Sequence, residues 1–420
     1  MVRRGLIWAF WLGILGTIGY GWYYLERHIP DRLSVVEQER EDVNLELPFG
    51  VTLYSESEEV LLGNRSEIPS GEIRLRVAEP FSVYGADQGS FRVGVELFGK
   101  IRFKEIQVDV VDTQYAVPCG TPVGIYLKSR GVMVIGTGRV TDARGQEMEP
   151  AYGVLQSGDY IEAINGEPLE DKEALITSLN RIGESEALLR VRRNGSRMDV
   201  RMNPVKTEDG SYKLGAWVRD DTQGIGTMTY VDLNGNFGAL GHGISDSDTG
   251  EVVEIGEGAL YETEILGIEK GTIGKPGVMA GVIYYGPGTR LGTVEENTQI
   301  GIFGKINETM RKKLPGEPVE VGYKQDVHRG QAWIRSNVSG QVQDYEIEIL
   351  KADLNPVQEN KSLVIRVVDE DLLRLTGGIV QGMSGSPILQ DGKLVGAVTH
   401  VFVQDSARGY GIFAEDMIRR

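Results

Sequence analysis

The sequence predicts a mainly β protein built from several domains. Three observations carry that prediction. Glycine is abundant, with 56 among 420 residues, and prolines are scattered, which suits short strands joined by tight turns. Apolar and polar residues alternate with period two through many short segments. Long helical periodicity is scarce beyond the N-terminus. The length leaves room for two or three domains, each with its own core.

The N-terminus differs in kind. Arg3 and Arg4 precede Leu6–Leu25, about 20 mostly apolar residues without a charge, which predicts a transmembrane helix. Trp8, Trp11, Tyr20, Trp22, Tyr23 and Tyr24 place aromatic rings toward both ends, where a bilayer interface would take them. The positive-inside tendency keeps the arginines cytoplasmic and sends the bulk of the chain across. A cleaved signal peptide would need small residues where Gly21-Trp22-Tyr23-Tyr24 is bulky, so residues 1–28 read as a cytoplasmic tip and signal anchor. Glu26–Asn44 is charged and reads as a linker or short helix. Alternation in Glu72-Ile73-Arg74-Leu75-Arg76-Val77 and Phe91-Arg92-Val93-Gly94-Val95 makes 29–112 a linker followed by a small β domain.

Composition excludes several function classes. A formal charge of −17 leaves no basic face for nucleic acid. Cys119, in the expected turn Val117-Pro118-Cys119-Gly120, is the only cysteine, so an internal disulfide and a cysteine-based metal site are ruled out. There is no His-Glu-x-x-His pair for zinc. No metal and no cofactor are expected.

Residues 113–204 have another texture. Gly120-Thr121-Pro122-Val123-Gly124-Ile125 reads as a turn leading into a strand. Leu175, Leu179 and Ile182 fall on one face of a helix, and Ala187–Arg192 reads as a closing strand. Gly158, Asp159, Ile161, Ile164, Asn165 and Gly166 match the G-D-x-I-x-x-I-N-G signature, so the stretch resembles a PDZ domain. The resemblance implies that a peptide adds as a strand beside a helix. Gly120, Val123, Gly124 and Ile125 are then the candidate peptide-binding residues. Pro122 removes one N–H from the loop that would hold a terminal carboxylate, which favours an internal segment as ligand. The competing reading is a PDZ fold kept as a structural bridge.

From 205 to 420 short strands recur, at Gly226–Val231, Val282–Tyr285, Gln299–Phe303, Val319–Tyr323, Tyr345–Leu350, Leu363–Val368, Leu394–Phe402 and Tyr410–Phe413. That is what a two-lobed β-barrel domain needs. Within it, Gly382-Met383-Ser384-Gly385-Ser386-Pro387 suits an exposed nucleophilic serine with backbone N–H groups converging beside it. A hydroxyl needs a base, and of four histidines His242, bracketed by Gly241 and Gly243, is the least crowded. His28 is beside the anchor, His328 lies in a polar run, and His400 sits in an apolar strand. The Gly-x-Ser-Gly-x-Pro pattern of chymotrypsin-like peptidases selects Ser384 over Ser386, with the amides of Gly382 and Ser384 as the oxyanion hole. Met383 stands where trypsin-like enzymes carry the Asp that captures a new amino terminus, so activation by that route is not expected. For the third member, Asp246 and Asp248 read as turn acceptors. Asp369 gives the order His, Asp, Ser and is preferred, although it also reads as N-cap of a short helix Glu370–Leu375. Thr399, on the strand after the serine, is a candidate brace for that Asp.

Gly-His242-Gly-Ile-Ser-Asp, Val-Val-Asp369, Gly-Met-Ser384-Gly-Ser-Pro-Ile and Gly-Ala-Val-Thr399-His together resemble the stage IV sporulation protein B family of serine peptidases. The resemblance implies a forespore protein exported into the space between the spore membranes, where it cleaves itself. It further implies cleavage of the regulatory subunit that restrains a membrane metalloprotease, so that a late mother-cell sigma factor is processed. The partners it implies are that regulatory complex, the chain's own N-terminal segment and the membrane; the charged stretch after Leu25 is the expected place of self-cleavage. Two other readings compete: an HtrA-like quality-control protease, in which the peptidase domain precedes the PDZ, and a membrane-anchored PDZ scaffold with an inactive peptidase fold.

Overall fold

The computed structural model describes residues 2–45, 47, 50–55, 57, 59–63, 72–75, 80–272 and 274–419. It is mainly β, and two closed barrels make its centre. The first uses β1 (Tyr115–Thr137), β2 (Ala216–Asp232), β3 (Asn236–Ala239), β4 (Ile255–Tyr261), β5 (Arg290–Thr298) and β6 (Gly301–Ile306). It closes because β1 pairs β2 on one edge and β4 on the other. The second uses β7 (Gly330–Ser336), β8 (Gln343–Ala352), β9 (Leu363–Val367), β10 (Pro387–Gln390), β11 (Lys393–Phe402) and β12 (Asp405–Phe413), closed in the order β7-β8-β9-β12-β11-β10.

Period-two patterning builds both interiors. Along β8, Tyr345, Ile347 and Ile349 point inward to meet Ile334, Ile365, Val398 and Phe413, while Glu346 and Glu348 stay outside. Val123, Ile125 and Leu127 of β1 pack on Met228, Phe237, Leu260 and Ile302 in the first barrel. Removing such side chains from water is what makes each barrel a unit, at roughly 25 cal/mol per Å² of apolar surface.

The first barrel begins at Tyr115, upstream of the boundary expected at residue 205, and a smaller unit interrupts it between β1 and β2. That insert comprises strand Tyr160–Ile164, helix Lys172–Ile182 and the hairpin Ala187–Arg193 with Ser196–Met202. Asp171 caps the helix by accepting from the Ala174 amide at 2.8 Å, and Leu175 and Leu179 bury against Ile161, Leu189 and Val191. The far end of β1 joins this unit, with Met133 and Val132 opposite Tyr160 and Ile161. Its other edge is taken by the chain itself: Ala216, Trp217, Val218 and Arg219 of β2 lie opposite Thr137, Gly136, Val134 and Met133. Asp220 then fixes the helix start, accepting from the Lys172 amide and ammonium at 2.9 Å each.

Two expectations fail here for one reason, the length of β1. Gly120, Val123, Gly124 and Ile125 do not form a peptide-binding loop. They lie inside the first barrel, where Gly124 and Ile125 pair with β2 on one side and β4 on the other, so no edge is free for a ligand. Cys119 is likewise no turn residue: it is fully buried in β1, and burial pushes its thiol up to about 12. Gly120, with φ +66, marks the bulge where the strand passes under Arg335.

The N-terminal segment forms one helix, Val2–His28, whose Trp8, Trp11, Tyr20 and Tyr23 face outward. Among the described residues no helix is long and apolar enough to cross a membrane. The rings and the glycines at 13, 16, 19 and 21 dilute the aliphatic content on which the expected span rested. Nor is Glu26–Asn44 a loose linker. Ile29 is fully buried, and Arg32–Val36 pairs in parallel with Ile101–Val111 in a five-stranded sheet completed by Gly89–Leu97, Val51–Ser55 and Glu72–Leu75.

That small domain docks on the second barrel through a buried polar cluster. Arg419 donates to Ser34 Oγ at 2.5 Å, to Glu415 Oε1 at 2.9 Å and to Asp109 Oδ2 at 2.7 Å, and Arg32 also pairs with Asp109. Burial alone would raise the Asp109 pKa. Hydrogen bonds from Gln107, Ser90 and Arg32 and the Arg419 charge outweigh it and hold the carboxyl below its ordinary range. The stability this carboxylate contributes is present above the unfolded pKa and is lost as pH falls through the folded one, below about pH 4. Replacing Asp109 by Ala leaves Arg32 without its carboxylate and Arg419 with Glu415 and Ser34 only. The variant is expected to lose about 2 kcal/mol of unfolding free energy in a urea titration; a loss under about 0.5 kcal/mol would show that the cluster does not hold the domains together.

Candidate active site

The two loops singled out from the sequence meet at the junction of the barrels. The Ser384 turn follows a short strand, Val380–Gln381, and runs with positive φ at Gly382 (+104) and Gly385 (+94). A Cβ on Gly385 would collide with the carbonyl of Thr227 and the backbone of Leu240, so only glycine lets the turn press against the first barrel. Thr227 of β2 clamps it: its hydroxyl donates to the Gly382 carbonyl at 2.7 Å and its amide to the Ser384 carbonyl at 3.1 Å. From the other side, the Gly385 amide donates to Val398 of β11 at 2.7 Å.

His242 follows the bend Leu240 (φ +70) and Gly241 (φ +68). A Cβ on Gly241 would meet Thr399 Cγ2 at 2.8 Å, so the histidine backbone abuts the strand that follows Ser384. The imidazole Nδ1 lies 2.8 Å from the Gly243 carbonyl. A carbonyl only accepts, so Nδ1 carries the proton and Nε2 is left as the basic nitrogen. Burial lowers the His242 pKa, with the Gly243 bond opposing; the ring is neutral at pH 7 and able to take a proton.

Ser384 Oγ donates to the Thr399 carbonyl at 2.7 Å. Its neighbour His400 lies against His242, ring centroids 4.9 Å apart and tilted by 36°. Burial, with the charges of His242 and Lys361, pushes His400 down to about 4, so at neutral pH both rings are uncharged. The Ser384 amide has no hydrogen-bond acceptor among the described residues, which leaves it available to an oxyanion. The hydroxyl, a neutral imidazole and a free amide are the parts that acyl transfer requires.

Asp369 is not brought to the imidazole. Its Oδ1 accepts from the Leu372 amide at 2.9 Å and its Oδ2 from the Glu346 amide at 3.3 Å, as N-cap of helix Glu370–Thr376. The expectation failed because chain order carries no distance; the capping role weighed against it is the one the geometry displays. Thr399 does not brace Asp369 either, since its hydroxyl donates to Asn360 O at 2.6 Å and its carbonyl serves Ser384. Asp246 and Asp248 hold their own turn around Arg219. His400, passed over because its strand is apolar, is the third residue the fold brings to the site. Two contributors escaped the sequence reading, for Thr227 carries no motif and Asn297 resembles any strand-end amide. Yet Asn297 accepts from Ile244 N at 2.8 Å and donates to Ile244 O at 2.8 Å and Val253 O at 2.9 Å, fixing the loop that carries His242. The remaining histidines lie apart, His28 stacked on Tyr24 and His328 paired with Asp391.

Residues 210–418 match the family described as SpoIVB peptidase S55. The chain is a member of that family and a serine peptidase. The matched region contains both loops and the whole of the second barrel. Among solved structures, an inactive serine-to-alanine mutant of Rv3671c from M. tuberculosis aligns with 46% of this chain and 78% of its own, at 14% identity and a TM-score of 0.24. No curated protein sequence matches the chain.

Two measurements check this geometry in the S55 domain. Peptidase activity is expected to rise with pH through a midpoint below 6.5, because the base works only when neutral and burial lowers its pKa; a midpoint above 7 contradicts the buried, uncharged imidazole. Asn is as good an N-cap as Asp, so Asp369→Asn is expected to keep both stability and activity within about tenfold, while Asp369→Ala costs ~1 kcal/mol. A loss near 10⁴-fold in the Asn variant would instead make Asp369 the partner of the imidazole.

Proposed function

We propose that Ser384 is the nucleophile and His242 the general base, with the amides of Ser384 and Gly382 receiving the oxyanion. The observation that carries this reading is that Thr399 and His400, consecutive on β11, touch the two side chains at once: the Thr399 carbonyl takes the Ser384 hydroxyl and the His400 ring lies on His242. In the reaction the Ser384 hydroxyl leaves the Thr399 carbonyl and attacks the scissile carbonyl while His242 Nε2 accepts its proton. The imidazolium then gives that proton to the departing amine, and water, deprotonated by the same nitrogen, releases the acyl group. Labelling by a fluorophosphonate tests the assignment. Wild-type protein is expected to take up one label, and Ser384→Ala and His242→Ala none; an equally labelled Ser384→Ala protein would place the nucleophile elsewhere.

The biological setting we propose is that of a sporulation signal. The enzyme cleaves the regulator of an intramembrane metalloprotease and thereby permits late sigma-factor processing. Membership in a family described by the sporulation protein supports this reading. The outward-facing rings of the N-terminal helix suit attachment to the forespore membrane. The enzyme also cleaves itself, which frees it from that attachment. The stretch after Leu25 lies docked, with Lys104 donating to the Ile29 carbonyl at 2.9 Å, so cleavage there requires it to leave the sheet. If Ser384→Ala protein made in a host without sporulation genes were shortened to the wild-type fragments, self-cleavage would be excluded. The insert at 130–220 serves as a PDZ-like bridge whose ligand edge is already held by Ala216–Arg219.

A further inference from the structure

Between β4 and β5 the first barrel sends out a hairpin, Thr263–Glu269 paired with Gly277–Ile283, that plays no part in closing either barrel. It reaches the second lobe instead. Gly277 and Val278 pair in parallel with Val380 and Gln381, the two residues immediately before Gly382. The turn of the hairpin is held from the same side, with Lys270 Nζ donating to the Arg374 carbonyl at 2.5 Å and the Gly274 amide to the Val403 carbonyl at 3.0 Å. On its inner face Met279 is buried together with Val380, Met383 and Ile379. A side-chain carbon placed on Gly382 would lie 2.7 Å from Met279 Cε and 3.1 Å from its Cβ. The thioether chain therefore lies against the Gly382 Cα, while the Thr227 hydroxyl holds the Gly382 carbonyl.

The geometry points to Met279 as a positioning residue for the oxyanion hole. The hairpin ladder sets the height of the strand entering the nucleophile turn, Thr227 sets the direction of the Gly382 carbonyl, and Met279 prevents the peptide plane from rotating into the space beneath it. An oxyanion donor stabilises charge only when it is held in place before reaction. Met279 touches no reacting atom, so its loss should lower the rate of the chemical step and leave binding and the His242 titration alone.

This inference rests on Ser384 as nucleophile, which the Ser384→Ala labelling tests separately. The probe is a fluorophosphonate, whose phosphoryl oxygen enters the oxyanion hole on reaction with serine. For full-length Met279→Ala the maximal labelling rate is expected to fall about 10- to 100-fold, with the half-saturating probe concentration within about twofold and the pH midpoint unchanged. Met279→Leu, which refills the space, should recover most of the rate. Should Met279→Ala fail to fold, Met279→Val leaves the same gap under Gly382 with less loss of core volume and is read by the same split. An unchanged maximal rate in the folded variant would overturn the inference, as would a loss that Leu does not restore or one accompanied by a shifted pH midpoint.

Discussion

Everything in the catalytic region closes on Thr227. Its amide and hydroxyl hold the Ser384 and Gly382 carbonyls, and its own carbonyl accepts from the Leu240 amide at 3.2 Å, one turn before His242. One residue of β2 therefore sets the separation of two loops that belong to different barrels. Because it is buried, an unmade bond there would carry the full desolvation cost of its partner. The constraint explains why glycine stands at 385, since no side chain fits between the turn and this strand.

The same strand explains the domain arrangement. β2 starts against the insert, at Ala216, and ends in the first barrel, at Asp232, pairing with β1 along its length through three register shifts. The ribbon makes insert and barrel mechanically continuous, and it uses up the edge on which an external peptide would have paired. At the opposite pole, the Asp109–Arg419 cluster joins the small N-terminal domain to the last helix, Ala414–Ile418. Buried ion pairs are weak sources of net stability but costly to break singly. Such a contact sets which surfaces meet more than how firmly they hold.

Local chemistry was legible where a residue type has one physical use. Gly-Met-Ser384-Gly-Ser-Pro and Gly-His242-Gly announced loops that need positive φ, and Asp369 before Glu370–Thr376 announced a cap, each the consequence of backbone geometry within a few residues. Period-two alternation marked β8 and β9 because one face of each is buried, whereas β11, buried on both faces from Leu394 to Thr399, reads as an unbroken apolar run. The N-terminal helix was legible as a helix, and its aromatic and glycine content is what keeps it short of the apolarity a crossing needs.

By itself the sequence determined the mainly β class, the glycine-framed turn at Ser384, the glycine-bracketed bend at His242 and the exclusion of an internal disulfide. Only the tertiary structure decided that β1 belongs to two units at once, that Gly120–Ile125 is barrel interior, and that the Gly243 carbonyl, in place of Asp369, orients the imidazole. The physical reason is range. Turn conformation, capping and side-chain alternation are settled by neighbours in sequence, whereas strand partners and contacts such as Thr227 to Ser384 depend on which edges the closed barrels leave unpaired.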